Sequence, residues 1–148
     1  MSATDKAEAV RLVCNARLAK QLSWAQLADA IDRPLVWTTA ALLGKHPMPA
    51  EESRVIAELL GLGDDVAVAL QRQPYRVADP ALASDPTIYR FHEAIDVYGA
   101  ALKELIHEEF GDGIMSAINF SVAFARRSDP QGDRVVVTFD GKFLPYQW

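Results

Sequence analysis

Residues Pro86–Phe110, PTIYRFHEAIDVYGAALKELIHEEF, run directly into Gly111–Phe124, GDGIMSAINFSVAF, and the reading of this stretch decides the fold. Ile88, Phe91, Ile95, Tyr98, Leu102, Leu105, Ile106 and Phe110 recur at steps of three and four, apart from one adjacent pair. That is the period of one long amphipathic helix. Asp85 is placed to cap it, Pro86 to occupy its first position and Gly111 to close it. Gly113 gives the next turn freedom. The period then changes: Ile114, Ser116, Ile118, Phe120, Val122 and Phe124 alternate along a strand. Arg134–Phe139 is a second, β-branched run, joined to the first by the turn chemistry of Ser128–Asp133. Asp140-Gly141 predicts a further turn.

This half has a packing problem. One helix and two or three strands make a marginal core, and an isolated hairpin is weak. Apolar groups fall on both parities of the first strand. The sheet is therefore expected to be completed or covered by another subunit.

Working back, residues 1–73 read as a helical bundle. Ala9–Lys20 carries Val10, Val13, Cys14 and Leu18 near helical spacing. Ser23 is the N-cap candidate for Trp24–Ile31, and Asp32-Arg33-Pro34 separates it from a third helix ending at Leu43 with Gly44 behind it. Glu51–Leu60 and Asp64–Gln71 are the fourth and fifth. Residues 74–85, punctuated by Pro74 and Pro80, read as a linker. Residues 86–148 form the second domain, so the fold class is α+β.

Composition is that of an ordinary globular chain, 50% hydrophobic and 24% charged. The net charge of −5 disfavours nucleic acid as a partner. No apolar run is long enough to span a bilayer, and the N-terminal MSATDKAEAVRL lacks a secretory h-region. The single cysteine, Cys14, allows no intrachain disulfide and fits a reducing cytoplasm. It reads as a small buried hydrophobe.

Gln21–Gly44 has the cadence of a helix-turn-helix, which makes a DNA-binding regulator the competing function. Its would-be recognition helix, Leu35–Leu43, offers no Arg, Lys, Asn or Gln to read bases. Phosphate contacts would fall to Arg33 and Lys45 alone. Trp24 and Trp37 read as core or subunit-contact residues.

The segment Tyr89–Phe120 carries the chemistry. It supplies Phe91-His92-Glu93, Val97-Tyr98-Gly99, Lys103, Glu108-Glu109-Phe110 and an unbroken Gly111-Asp112-Gly113-Ile114-Met115-Ser116-Ala117-Ile118-Asn119-Phe120. In these motifs the chain resembles the cyanase (cyanate hydratase) family. The resemblance continues through Asp129-Pro130 and Phe139-Asp140-Gly141-Lys142, and less tightly over the first half. It implies an enzyme that converts cyanate and bicarbonate to carbamate and carbon dioxide, the carbamate then giving ammonia. It implies Arg90, Glu93 and Ser116 as the reactive groups, bicarbonate as co-substrate, and no metal or organic cofactor. It also implies a decamer of five dimers with sites between subunits, whose benefit is to detoxify cyanate and release nitrogen.

The residue types suit that chemistry. Arg90 and Glu93, at i and i+3, share a helix face; by spacing alone they would be a solvated ion pair. A guanidinium donates paired hydrogen bonds to a planar oxyanion, which lysine cannot. Glu93 either orients Arg90 or takes part in proton transfer. Ser116, soon after a Gly-Asp-Gly turn, reads as an anion-binding hydroxyl rather than a nucleophile, with no His near it in sequence; the plainer reading is a strand serine in a local hydrogen bond. Two monoanions about 4 Å apart repel by roughly 4 kcal/mol at an effective dielectric of ~20. One arginine offsets part of this, so two copies of Arg90 meeting across a symmetry axis are expected.

Other patterns compete less well. Glu104 and His107 have the Glu-x-x-His spacing of di-iron bundles but lack its partners, leaving an exposed helical pair. His92 is an exposed or interface histidine, with a proton shuttle as the alternative. Asn119 is a pocket-lining candidate without an assigned contact. Tyr98 and Gly99 read as close-packing positions.

Overall fold

The computed structural model describes residues 3–148; Met1 and Ser2, the first residues of the N-terminal stretch, lie outside the described residues. In chain order the elements are α1 (Lys6–Ala19), α2 (Trp24–Ala30), α3 (Leu35–Leu42), α4 (Ala50–Leu60), α5 (Asp64–Leu70), α6 (Pro80–Ser84), α7 (Pro86–Phe110), β1 (Gly113–Arg127) and β2 (Arg134–Pro145). The α+β class is as expected. Two compact units form: residues up to Arg76 with Ser121–Phe139, and Val77–Phe120 with Asp140–Trp148.

The first unit holds the hydrophobic core. Val13, Leu27, Leu42, Ile56 and Leu70 are fully buried, and half-buried Trp24 and Trp37 pack against them. The helix ends are set locally. Ser23 and Gln26 make a reciprocal capping box on α2. Gly61, at φ 69°, ends α4 in the left-handed region where a Cβ is unfavourable. The buried hydroxyls are satisfied: Thr38 donates to the Pro34 carbonyl at 3.0 Å and Ser53 to that of Ala50 at 2.9 Å. Lys6 ties the unit together by donating to the carbonyls of His46 and Leu70, each at 3.3 Å, and of Arg72. Its burial there lowers the ammonium pKa.

In the second unit Asp85 accepts from the amides of Thr87 and Ile88, and Pro86 opens α7. No residue of this 25-residue helix is buried. Its apolar row stands open, with Ile95 57% and Leu105 60% exposed. Phe110 stacks on Phe143 with ring centroids 5.1 Å apart, which anchors the helix end on β2. β1 and β2 form a two-stranded antiparallel sheet. Ile118 at 95% and Val135 at 72% are its most exposed apolar side chains.

The structure corrects several expectations. α1 starts at Lys6, not Ala9, because Asp5 accepts from the Glu8 amide and caps a polar first turn that carries no apolar period. The linker contains α6, which begins at Pro80 and is capped by Asp79 on the Ala81 amide. Cys14 is only half-buried, since the buried face of α1 runs through Ala9 and Val13. Asp140-Gly141 is not a turn: β2 passes straight through it to Pro145. A Cβ on Gly141 would collide with Met115 across the sheet, so the glycine answers a close strand approach. Gly113 likewise opens β1 rather than relaxing a turn, and a Cβ there would meet the Leu144 carbonyl.

Candidate active site

The Asp85 cap fixes the first turn of α7, and Arg90 and Glu93 project from the turn that follows. Arg90 Nη1 donates to Glu93 Oε2 at 2.6 Å, and the two side chains are 65% and 54% exposed. A pair so open to water is worth about 0–1 kcal/mol. Stability is therefore a poor reason for its geometry. Glu93 holds one edge of the guanidinium, and no other described residue hydrogen-bonds to it.

Ser116 contrasts with this pair: it is only 6% exposed. Its Oγ accepts from the Ile118 amide at 3.1 Å and from the Asn119 amide at 2.9 Å. Successive amides of a regular strand point to opposite sides. Two of them meeting one oxygen means that β1 departs locally from flat pairing. β1 has 15 residues against 12 in β2, which leaves residues to spare for such a bulge. A hydroxyl has two acceptor sites and one proton. Both acceptor sites of Ser116 are used, and its proton has no acceptor among the described residues. The O–H is thus left able to donate a hydrogen bond.

Among the described residues no hydrogen bond or ion pair joins Ser116 to Arg90 or Glu93. One chain carries the two groups separately: a tethered guanidinium on a helix, and on a strand a hydroxyl that accepts from two amides.

The other candidates resolve as follows. His107 does not bond Glu104. Its Nε2 meets Lys103 Nζ at 2.7 Å and its Nδ1 meets the Gly111 carbonyl at 3.1 Å, so it tethers the end of α7. Among the described residues no group of three or more His, Cys, Asp or Glu is arranged to hold a metal ion. His92 is exposed, 6.5 Å from the Tyr89 ring. Asn119 gains a contact through its backbone amide, not its side chain. Among the described residues nothing presses on Gly99 beyond ordinary contact with Ile95 at 3.4 Å, and Tyr98 is 63% exposed, so the close packing expected there is not found among them. In the helix-turn-helix region, Arg33 Nε donates to Glu52 at 2.8 Å and its guanidinium lies over Trp37 at 4.4 Å. A cavity of ≈ 600 Å³ lies in the first unit beside Lys6, Val10 and Tyr75, and none of the three candidate residues lines it. Sequence reasoning missed Gly141 and the amides of Ile118 and Asn119, because contact across strands leaves no local signature.

Residues 6–74 match the family model described as "Cyanate hydratase, N-terminal", and residues 80–148 the one described as "Cyanate lyase C-terminal domain". A relative from Mycolicibacterium vanbaalenii named "Cyanate hydratase" is 62% identical over 95% of this chain and 93% of its own length. One of the same name from Pseudomonas syringae pv. tomato is 49% identical over 99% of this chain and 96% of its own. The crystal structure of cyanase from T. urticae superposes with a TM-score of 0.84 at 38% identity, covering 92% of this chain and 96% of that one. Nothing in these matches supports a DNA-binding regulator.

Proposed function

The chain belongs to the cyanate hydratase family of carbon–nitrogen lyases, and from that premise we propose that it decomposes cyanate with bicarbonate through Arg90, Glu93 and Ser116. An oxygen of bicarbonate attacks the cyanate carbon, and the adduct passes through a dianionic stage. Loss of carbon dioxide, with the bicarbonate proton and one further proton ending on nitrogen, leaves carbamate. Carbamate then falls to ammonia and carbon dioxide.

The observation that carries this reading is the state of the Ser116 hydroxyl, buried with both acceptor sites filled and its proton without an acceptor among the described residues. Such a group stabilises negative charge and is poorly suited to attack, which leaves bicarbonate as the nucleophile. Arg90 supplies a planar donor fork whose orientation Glu93 holds. Proximity and electrostatic stabilisation are the main catalytic contributions. The charge comes from the guanidinium, so the scheme calls for no metal or organic cofactor.

The site is completed between copies, in a homo-oligomer we take to be a decamer of five dimers. Supporting this, no residue of α7 is buried, and among the described residues no hydrogen bond joins Arg90 to Ser116. In this division of labour residues 1–73 are a helical bundle, 74–85 a linker and 86–148 the catalytic and oligomerisation part. The enzyme works in the cytoplasm; no helix among the described residues is long and apolar enough to cross a membrane, and the one cysteine asks for no oxidising compartment. The test is ammonia release from cyanate by the purified protein, with and without bicarbonate. Rapid release only when bicarbonate is present is the expected result; bicarbonate-independent release would remove it as co-substrate.

A further inference from the structure

We infer that Gly141 is a positioning residue for Ser116: by carrying no side chain it lets β2 lie against Met115–Ser116 and so fixes where the hydroxyl stands. The inference rests on the reading of Ser116 as an anion donor. A Cβ on Gly141 would fall 2.8 Å from the Ser116 carbonyl oxygen and 2.9 Å from Met115 Sδ, and closer still to Met115 Cγ. The methionine is flexible and can yield. The carbonyl oxygen belongs to the strand backbone and moves only if the Ser116 peptide moves. Gly141 is not among the positive-φ glycines, so its requirement is space rather than a left-handed conformation.

Ser116 is thus fixed from two directions. Its carbonyl occupies the gap that Gly141 leaves open, and its Oγ is held by the amides of Ile118 and Asn119. Filling the gap pushes the peptide and drags Oγ off those two amides. The hydroxyl then recovers an acceptor site, loses its fixed direction and no longer points one donor at the anion. Misplacing a positioned group by about 1 Å costs on the order of 10²-fold in rate.

The experiment uses the full chain as Gly141→Ala, Ser116→Ala and the double variant, with kcat/KM for cyanate at saturating bicarbonate. Gly141→Ala should lose at least about tenfold while solution size and far-UV circular dichroism match wild type. On the Ser116→Ala background it should add no further loss, since it acts through that hydroxyl. A multiplicative loss in the double variant overturns the inference, as does wild-type activity of Gly141→Ala beside an inactive Ser116→Ala. Wild-type activity of Ser116→Ala is a different failure, that of the reading on which the inference rests. Should Gly141→Ala change in size, hydrogen exchange at the Ile118 and Asn119 amides decides. Exchange of both faster than in wild type is expected, and unchanged exchange refutes the seat. Met115→Ala/Gly141→Ala frees the side-chain contact but not the carbonyl one, so it should stay impaired; full recovery would show that only Met115 was displaced.

Discussion

Arg90→Lys separates charge from shape at one position. Lysine keeps the positive charge and the reach but loses the planar fork. The effect on folding follows from the present environment of the side chain. Arg90 is 65% exposed, and its one ion pair among the described residues is with Glu93, itself 54% exposed. Exposed pairs contribute about 0–1 kcal/mol, and a lysine can retain part of that. The stability of the chain should therefore change by less than about 1 kcal/mol. Catalysis should respond far more. A hydrogen bond to a charged group contributes about 1.5–3 kcal/mol, so losing one arm of the fork slows the reaction by roughly 10- to 150-fold. If two copies of Arg90 converge on one dianionic intermediate, the losses compound to about 10²–10⁴-fold. The assay is bicarbonate-dependent ammonia release, read beside a denaturation curve and a solution size. Turnover within threefold of wild type would refute the role of the fork. A large loss accompanied by unfolding or dissociation would refute the claim that Arg90 is dispensable to the structure.

Leu102→Glu tests the open face of α7. Leu102 is 49% exposed within one chain, and burying a leucine fully is worth about 1.5–3 kcal/mol, so covering the exposed half contributes on the order of 1 kcal/mol per copy, repeated along the row. A carboxylate there should shrink the assembly in sedimentation velocity and abolish activity; unchanged size would show that this row is not an interface. Thr4→Val tests the N-terminal tie. The Thr4 hydroxyl donates to Asp65 and is the main cause holding that carboxyl below its usual pKa, against an opposing desolvation. A depressed carboxyl stabilises the fold above its unfolded pKa and loses that contribution as pH falls through the folded value. The variant should thus be less stable than wild type at neutral pH, with the gap closing in the acid range below the ordinary carboxylate pKa. A gap independent of pH in denaturation curves would assign the effect to packing instead.

What was legible in the sequence was whatever is decided within a few residues. Asp85-Pro86 marks the start of α7, Ser23 with Gln26 the start of α2, and Gly61 the end of α4, because a cap needs only its own turn. The same logic, applied to Asp79-Pro80, would have found α6, but five residues in a proline-rich stretch give no apolar period to support it. Asp140-Gly141 misled for the opposite reason. The dipeptide carries turn chemistry, yet the glycine is there for Met115 and Ser116 on the neighbouring strand, a cause more than twenty positions away.

The candidate site divides along the same line. Arg90 and Glu93 are a local pair, so their spacing anticipated a contact that forms at 2.6 Å. The two amides on Ser116 Oγ and the approach of β2 to its carbonyl have no local signal in the sequence. The helical period of α7 is the instructive case. It predicts one apolar face, yet apart from Phe110 on Phe143 that face stays open, and no residue of the helix is buried among the described residues. Periodicity reports that a surface is written for burial and is silent on what buries it. Where a 25-residue helix satisfies the period and still buries no residue, the proposed second copy of the chain supplies the missing cover. The proposed reaction, which gathers two anions, gives that copy a second use, since a symmetry axis can bring another guanidinium to the same point.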